Sequence, residues 1–500
     1  MTSKSMLIIG GGVAGLCTGS YAQMNGYRTR ILEAHTLPGG LCTAWKRGDY
    51  TVDGCLHWLV GSSPANPFHS LWEEMGVVQD RKFLYLDEFM IYEGRGGKSL
   101  HLYRSLDRLE KHMLEFAPED ENLIREFIRA AREMGKVELP MDKAQETMGM
   151  LEGLGMMFKM LPHLATLKKW ATITAEEYTK RYKNRELGEA INELWVPEFS
   201  MLFLLMTLAW FDAGDSGYAV GGSLPIARTL EARYKALGGE ISYNSRVKKI
   251  IVENNRAVGI TLEDGSELRA DIVVSCADGY HTIFDMLDGK YVNDEIKSWY
   301  KETPIFQPLV HVAFGVNRDF ADVPHVIGGI SIPIAKTLVI GEQKHDRLPV
   351  MIYNFDPSYA PAGKTVLKVM LESRYDYWKK LAGDEKSYEA EKECIAREIL
   401  EGLEPRFPGI TEQVEMTDVA TPLTFERYTG NWQGSFEGWL MTPKNWSKRI
   451  KKTLPGLGNF YMAGQWVEPG GGLPGGLMSG RNVVQLICKD NGVKFTTTKP

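Results

Sequence analysis

The pattern of apolar and polar positions predicts an α/β chain, and its clearest unit lies at the N-terminus. The apolar run Met6–Ile9 ends on three glycines. An uninterrupted apolar run is typical of a parallel strand, because both faces of such a strand are covered. Ala14–Met24 then has the length of a helix, and Arg28–Leu32 predicts a second strand. The order strand, helix, strand predicts a βαβ unit of the Rossmann type.

The rest of the chain contains further strand-like and helix-like segments, with helical spacing concentrated between residues 105 and 211. The predicted strands are Phe83–Leu86, Met90–Tyr92, Leu100–Tyr103, Glu240–Tyr243, Val247–Glu253, Ala257–Leu262, Ala270–Cys276, Ile305–Gly315, Thr337–Gly341, 350–355 and Thr365–Leu371. The predicted helices are Asp107–Phe116, Pro118–Lys136, Glu176–Leu194, Ile226–Leu237, Ser387–Leu403 and Leu477–Lys489, together with an apolar segment from Trp195 to Trp210.

One stretch, Met141–Trp170, is unusually rich in methionine and leucine, and lysines cluster towards its end. Methionine is flexible and polarisable, so such a stretch suits the wall of a hydrocarbon-binding cavity. An amphipathic segment that touches a membrane surface has the same composition. Methionine at helical spacing also occurs in ordinary cores. The sequence leaves the three interpretations open.

The first strand is followed by a G-x-G-x-x-G motif. Gly10 permits a tight turn, Gly12 lets a pyrophosphate approach the backbone, and Gly15 lets the helix pack closely on the strand. The free N–H groups at the start of the helix, at Val13 and Ala14, point towards such an anion. The surrounding strand and helix are those that the motif requires, so we predict a dinucleotide site.

Glu33 stands at the end of the second predicted strand and is followed by Ala34. A carboxylate at this point can accept hydrogen bonds from the ribose of an adenosine moiety. Both residues therefore join the predicted cofactor site.

After Ala34 come Gly39, Gly40 and Leu41, and then a glycine-containing turn that ends on His57 and Trp58. In these stretches the chain resembles the FAD-dependent amine oxidase and phytoene desaturase superfamily. The resemblance implies that the glycine pair lines FAD and that the turn approaches the flavin. Amine oxidases usually carry arginine where this chain has Leu41, and the difference favours the desaturase branch.

The C-terminal region carries a second signature of the same superfamily. A strand ends on Gly464, Gln465 follows, and a glycine-rich loop with Gly472 and Leu473 opens a helix. The resemblance implies that this element contacts the flavin ring and the ribityl chain, and that the backbone of Val247 contacts the adenine. The superfamily often has aspartate where this chain has Gln465.

The resemblance implies a composite, glutathione reductase-like FAD-binding domain interrupted by a second domain. We expect the FAD-binding domain to comprise residues 1–75, 219–290 and 415–500. Residues 76–218 and 291–414 would form a substrate-binding domain, with a mixed sheet and a methionine-rich helical cap at about residues 105–211.

By its resemblance to phytoene desaturases, carotenoid isomerases and retinol saturases, the chain is expected to be an FAD-dependent oxidoreductase. It would desaturate or saturate carbon–carbon bonds of a long apolar isoprenoid or lipid. Glu468, next to the glycine-rich loop, and His57, in the flavin-facing turn, are the candidates for a catalytic acid or base.

Three other functions stay open: a redox-neutral isomerase or hydratase that uses reduced FAD, a flavin amine oxidase, and a flavin-bearing scaffold without activity. The other G-x-G-x-x-G spacing in the sequence, at residues 470–475, lies in the C-terminal glycine-rich loop and not directly after a predicted strand, so no NAD(P) domain is expected. The electron partner could be oxygen, a quinone or a small redox protein.

Composition and charge narrow the picture further. The net charge is −6, whereas proteins that bind nucleic acid usually carry an excess of basic residues, so nucleic acid is not an expected partner. The six cysteines are scattered, which favours reduced thiols and no metal site. The chain enters its first strand after five residues, and no apolar run reaches the ~18 residues of a membrane span. We expect a cytoplasmic protein, with peripheral contact to a membrane as the open alternative.

Overall fold

The computed structural model describes residues 3–137, 141–194 and 196–500. The glycine motif follows the central strand of a five-stranded parallel sheet, at the carboxyl ends of the strands. The strands in the described residues are β1 Ser5–Ile9, β2 Arg28–Leu32, β3 Ala44–Arg47, β4 Tyr50–Asp53, β5 Phe83–Leu84, β6 Glu88–Glu93, β7 Ser99–Tyr103, β8 Tyr218–Ala219, β9 Glu240–Ser242, β10 Val247–Glu253, β11 Arg256–Leu262, β12 Glu267–Arg269, β13 Ile272–Ser275, β14 Leu309–Val316, β15 Ile330–Ile340, β16 Gln343–Ile352, β17 Thr365–Glu372, β18 Val414–Ala420 and β19 Phe460–Met462.

Helices surround the sheets. Within the same described ranges they are α1 Val13–Met24, α2 Phe68–Glu74, α3 Leu106–Phe116, α4 Glu121–Met134, α5 Met150–Met160, α6 Leu164–Ala171, α7 Ala175–Thr179, α8 Arg185–Glu193, α9 Met201–Asp212, α10 Ser223–Ala236, α11 Asp294–Glu302, α12 Tyr375–Leu381, α13 Glu385–Leu403, α14 Ile410–Gln413, α15 Pro422–Thr429 and α16 Gly472–Asp490.

The parallel sheet has the strand order β19-β13-β1-β2-β9 and draws its strands from distant parts of the chain. In the centre, Ile8 is opposite Val274 on one side and Ile31 on the other. The carboxyl ends of parallel strands meet at one edge of a sheet, so Gly10, Glu33 and the loop after β19 are brought to the same edge. The predicted β1-α1-β2 unit is confirmed.

A second sheet of seven strands has the order β18-β14-β17-β16-β15-β6-β7. It is mixed, because β15 pairs with β6 in parallel and with β16 in antiparallel orientation. This is the predicted mixed sheet. Its edge strand β18, Val414–Ala420, crosses the predicted boundary at residue 415 and pairs with β14. The wider domain division stays a prediction.

The helical layer at residues 105–211 is built around α9, which is buried along most of its length. The prediction of one helix over Glu176–Leu194 is wrong, because the segment forms α7 and α8. The carboxylate of Asp120 accepts hydrogen bonds from the backbone amides of Lys183 and Asn184, at 2.8 and 2.7 Å. These bonds stabilise the non-helical connection between α7 and α8. Trp195, where the predicted apolar segment begins, lies outside the described residues.

The methionine-rich stretch forms α5 and α6, and the interpretation of α5 as buried core is wrong. No side chain of α5 is buried. Met150 is 85% exposed, Leu151 is 84% exposed and Phe158 is 65% exposed. Over the described ranges, every helix is too short or too polar to traverse a bilayer.

Candidate functional site

The loop between β1 and α1 has the shape that a bound pyrophosphate needs. Gly10 turns the chain with a φ of +96°. A Cβ atom added at Gly15 would lie 1.9 Å from the Gly10 carbonyl oxygen, so no side chain fits there. The first amides of a helix, here those of Val13 and Ala14, have no acceptor within the helix. No acidic residue competes for them in the first turn of α1.

Glu33 is buried beside this loop, and its predicted contact with the ribose stays a prediction. One carboxylate oxygen accepts a hydrogen bond from the Gly11 amide at 2.6 Å, and the other accepts one from the His35 amide at 2.7 Å. Ala34 is thus held between two anchored residues. The Glu33 carbonyl accepts a bond from the Ser245 amide at 2.8 Å, which places the buried Val247 nearby.

The predicted glycine pair lies directly on the first loop. The Gly39 amide donates to the Gly11 carbonyl at 2.9 Å. A Cβ atom at Gly40 would stand 3.4 Å from the Cα atom of Gly12. Leu41 follows, and its carbonyl accepts a bond from the Thr43 amide. The structure therefore joins two motifs that the sequence presents separately.

The C-terminal glycine loop reaches the same place, because α16 packs on α1. A Cβ atom at Gly480 would be 2.8 Å from the Ala14 carbonyl oxygen, and one at Gly476 would be 3.3 Å from Val13. Gly464, after β19, would place a Cβ atom 3.6 Å from that of Ala14. Small residues thus allow two helix N-termini to lie side by side.

The glycine-rich loop leads into α16 earlier than predicted. The helix begins at Gly472 and not at Leu477, because the close packing on α1 favours helical geometry through the glycines that follow. Leu473 packs against the core beneath the parallel sheet. Gln465 lies against Gly438, where an added Cβ atom would be 3.0 Å from its side chain.

Asp53 anchors the turn that carries His57, a role that the sequence interpretation missed. One oxygen of its buried carboxylate accepts hydrogen bonds from the amides of Cys55 and Leu56, at 2.9 and 3.0 Å. The other accepts one from the Ser223 amide at 2.7 Å, at the start of α10. The turn is thereby fixed to the part of the chain that returns to the parallel sheet.

His57 faces a buried group of basic side chains from the mixed sheet. Burial lowers its pKa well below the usual value, and the charges of Lys368 and His311 lower it further. Burial also lowers the pKa of His311 to about 3. Lys368 is 1% exposed, its Nζ atom is 3.5 Å from the Asp53 carbonyl oxygen, and burial lowers its pKa. Both histidines are therefore neutral at pH 7.

This neutrality predicts how stability depends on pH. Above pH 6.5 the two histidines are neutral in both states and contribute nothing. Below pH 6.5, His57 and His311 bind protons in the unfolded chain but stay neutral in the folded protein. We therefore expect the free energy of unfolding of the flavin-free protein to fall with decreasing pH, by up to about 1.4 kcal/mol per pH unit for each histidine.

Urea unfolding at a series of pH values measures this dependence. His311→Asn should reduce the slope by up to half, because one of the two histidines then no longer contributes. An unfolding free energy that is constant from about pH 6.5 to about pH 5 would contradict the account.

Glu468, the other predicted catalytic residue, lies in an ion pair. Its Oε1 atom lies 2.9 Å from Lys452 Nζ in this ion pair and accepts a hydrogen bond from Asn482 Nδ2, also at 2.9 Å. Its Oε2 atom is buried and has no partner among the described residues. No hydrogen bond within those residues joins Glu468 to His57.

Two further charged residues near the site had sequence signals that could have revealed them. Lys368 is a charged residue in an otherwise apolar predicted strand. A lysine in such a strand is rarely buried unless it has a partner, so it indicates a specific role. Glu437 stands between Phe436 and Gly438 in a mostly apolar stretch. Their partners come from remote parts of the chain, so spacing alone could not place them.

The assembled residues fit an FAD molecule. The glycines of the three loops leave backbone faces without side chains, and two helix N-termini supply amides for a pyrophosphate. Buried polar atoms that lack partners in the described part of the chain include His57 Nε2, Trp466 Nε1 and Glu468 Oε2. The predicted cofactor residues thus surround one region of the molecule, and their individual contacts stay predictions.

Comparison with known proteins agrees with this site. The family model described as flavin containing amine oxidoreductase matches residues 13–488. Prolycopene isomerase 1 from an Oncidium hybrid cultivar is 24% identical over 98% of this chain and 84% of its own. The lycopene-forming phytoene desaturase of a Paracoccus species is 25% identical over 98% of both chains.

Solved structures show the same fold. An oxidoreductase from Methanosarcina mazei has a TM-score of 0.60 at 16% identity, covering 96% of this chain and 100% of that one. Cyclohexylamine oxidase from Brevibacterium oxydans has a TM-score of 0.60 at 13% identity, covering 98% and 100%. The predicted fold class is confirmed. The chain therefore belongs to the family of flavin-containing amine oxidoreductases, and its cofactor is FAD.

Proposed function

We propose that the protein is an FAD-dependent oxidoreductase that introduces or removes double bonds in a long apolar isoprenoid of the carotenoid type. The relatives named as phytoene desaturases and prolycopene isomerases, which align over nearly the whole chain, support this substrate class. FAD, when bound, supplies the two-electron chemistry by exchanging a hydride with carbon.

The observation that carries the proposal is the apolar environment at the end of the flavin-facing turn. The ring of Trp58 lies 5.1 Å from that of Phe89 and 5.5 Å from that of Phe211, and these two rings are 4.7 Å apart. The turn thus leads from the glycine loops into the aromatic edge of the helical layer. Phe89 and Phe211 are buried, so the turn ends against an apolar environment that excludes water, as a hydrocarbon site requires.

The protein must also hold or move a proton beside the reacting carbons. Glu468 and His57 stay the candidates that the sequence predicts, each with one unpartnered buried atom in the described part of the chain. Replacing Glu468 by glutamine should leave FAD bound and slow turnover if its carboxylate takes part. Unchanged turnover would remove it from the mechanism.

The direct test is incubation of the FAD-loaded protein with phytoene in lipid vesicles, without oxygen and with a quinone as electron acceptor. Desaturation lengthens the conjugated system, so product chromatography with visible detection should show new absorbing polyenes. A parallel incubation with air instead of the quinone tests oxygen as acceptor. Unchanged phytoene, together with peroxide release from putrescine, would overturn the proposal in favour of an amine oxidase.

Redox-neutral isomerisation is the second candidate, and the similarity to prolycopene isomerases favours it. Prolycopene incubated with the pre-reduced flavoprotein separates the two activities. Conversion of prolycopene to another isomer without consumption of electrons would support the isomerase. Net consumption of acceptor would support the desaturase.

We also propose that α5 and α6 dock on an anionic membrane surface, where apolar isoprenoids reside. Lys159 and Lys168 are exposed and form no ion pair within the described residues, so they can meet anionic lipid headgroups. The apolar side chains that the two helices and their connection expose are Met150, Leu151, Leu154, Met157, Phe158, Leu161 and Leu164.

Replacing both Leu151 and Phe158 by glutamate should strongly weaken this docking. Each buried apolar side chain is worth about 1.5–3 kcal/mol, so the loss of two should weaken binding to vesicles that contain phosphatidylglycerol by roughly 100-fold or more. Val339 is also exposed but lies on β15, and Val339→Glu is the matched control. Co-sedimentation with vesicles measures the effect. Equal binding by the double variant and the control would contradict docking through these helices.

A further inference from the structure

Glu437 places a carboxyl group directly on the glycine-rich loop of the FAD site. A Cβ atom added at Gly471 would lie 2.4 Å from Glu437 Oε2 and 2.6 Å from its Cδ atom. The side chain therefore packs on the bare backbone of the loop. It points to the start of α16, where the Gly472 amide faces the carboxylate and holds its pKa down against the effect of burial.

The backbone on either side of Glu437 is firmly held. The Gly438 carbonyl accepts a hydrogen bond from the Phe306 amide at 2.9 Å. Trp439 is fully buried, and its indole N–H donates to the Trp466 carbonyl at 3.0 Å. Because Trp466 belongs to the segment between β19 and the glycine-rich loop, Glu437 and the loop are fixed relative to each other.

No cation neutralises this carboxyl group. Within the described ranges, Glu437 forms no ion pair. The charge of Glu437 acts on Cys55, in the turn that carries His57. Burial raises the pKa of the Cys55 thiol to about 12, and the charges of Asp53 and Glu437 raise it further. Glu437 thus lies between the flavin-facing turn and the glycine-rich loop.

We propose that Glu437 is a catalytic acid–base residue that exchanges a proton with the substrate at the flavin. This inference rests on the proposed function. In desaturation, bound FAD would supply the acceptor for one hydrogen of the substrate, which leaves its carbon as a hydride. The neighbouring C–H bond gives its proton to the Glu437 carboxylate, and its electron pair becomes the new π bond. In the reverse direction the neutral acid returns the proton.

The environment of Glu437 suits this task. Burial raises its pKa to about 7, so the group is divided between its acid and carboxylate forms near neutral pH. A proton-transfer group is most effective when its pKa is close to the working pH. Glu468, by contrast, is already in an ion pair with Lys452 and accepts a hydrogen bond from Asn482.

The test is a pH titration of the visible spectrum of bound FAD, from about pH 5.5 to about pH 8.5. The native protein should show a one-proton transition with its midpoint near pH 7. Glu437→Gln should bind FAD and lack the transition, and Glu437→Asp should restore it with a shifted midpoint. Glu385→Gln, at an exposed position, is the matched control and should titrate as the native protein does. With an active substrate, Glu437→Gln should also lower turnover by roughly 100-fold or more.

A transition that persists in Glu437→Gln, that disappears in Glu468→Gln instead, or that is missing from the native flavoprotein would overturn the inference. If Glu437→Gln fails to fold, Glu437→Asp decides: a shifted midpoint supports the inference, and an unshifted one or none contradicts it. Native protein that takes up no FAD would instead contradict the proposed function.

Discussion

Replacing Gly15 by alanine is expected to weaken FAD binding by roughly 100-fold or more, equivalent to at least about 2.7 kcal/mol. The added Cβ atom would lie 1.9 Å from the Gly10 carbonyl oxygen. Since both atoms belong to the backbone framework of the loop, α1 must move away from β1. The loop then loses the geometry that presents the α1 amides to the pyrophosphate. Isothermal titration of the flavin-free protein with FAD measures the loss.

Gly153→Ala is the matched control, because Gly153 lies in the exposed helix α5 with nothing within 4 Å of an added Cβ atom. It should bind FAD as the native protein does and should gain up to about 1 kcal/mol of helix stability. Native affinity in Gly15→Ala would show that the pyrophosphate binds elsewhere.

Replacing Asp53 by asparagine is expected to lower the free energy of unfolding by about 3 kcal/mol. The carboxylate is buried and accepts bonds from three backbone amides and from the Ser223 hydroxyl. In asparagine an NH2 group replaces one carboxylate oxygen. That NH2 group would face a backbone N–H donor and could not accept its hydrogen bond. It would also remove a negative charge that raises the pKa of the buried Lys368. Chemical denaturation of the flavin-free protein measures the change.

Asp264→Asn provides the comparison. Asp264 also accepts a backbone amide and a hydroxyl, both from Ser266, but it is exposed. Its substitution should change the unfolding free energy by no more than about 0.5 kcal/mol. Equal effects of the two substitutions would mean that the turn before His57 does not depend on Asp53.

Local patterns predicted the elements whose geometry is decided by neighbouring residues. The β1-α1-β2 unit is one example, and the hairpin of β10 and β11 through Asn254 and Asn255 is another. In both, a few adjacent residues set the turn and the periodicity. The resemblance to a known superfamily then supplied the cofactor, which the family match confirms.

Contacts between remote residues explain what could not be predicted. The break between α7 and α8 depends on Asp120, which lies outside that segment. The basic group around His57 forms only when β14 and β17 pair and pack under the turn that contains Asp53. Glu437 comes into contact with the glycine-rich loop at Gly471 only when the C-terminal region folds.

The exposure of α5 shows that the spacing of apolar residues does not predict whether a helix is buried. Methionine and leucine at helical spacing indicate an apolar face, but the pattern does not say what covers it. In the structure no side chain of α5 is buried by the described chain, whereas α9, a more uniformly apolar helix, is enclosed by other helices. What each helix packs against is set by distant parts of the chain, which the local pattern does not contain.

The central claim is that glycine loops from opposite ends of the chain close on one FAD molecule. The most direct test is the ratio of FAD to protein after reconstitution, from the absorption spectrum of the gel-filtered complex. The account predicts one FAD per chain in the native protein and a marked loss when Gly480, which holds α16 against α1, is replaced by valine. A protein that stays colourless in excess FAD, or an unchanged ratio in Gly480→Val, would contradict it.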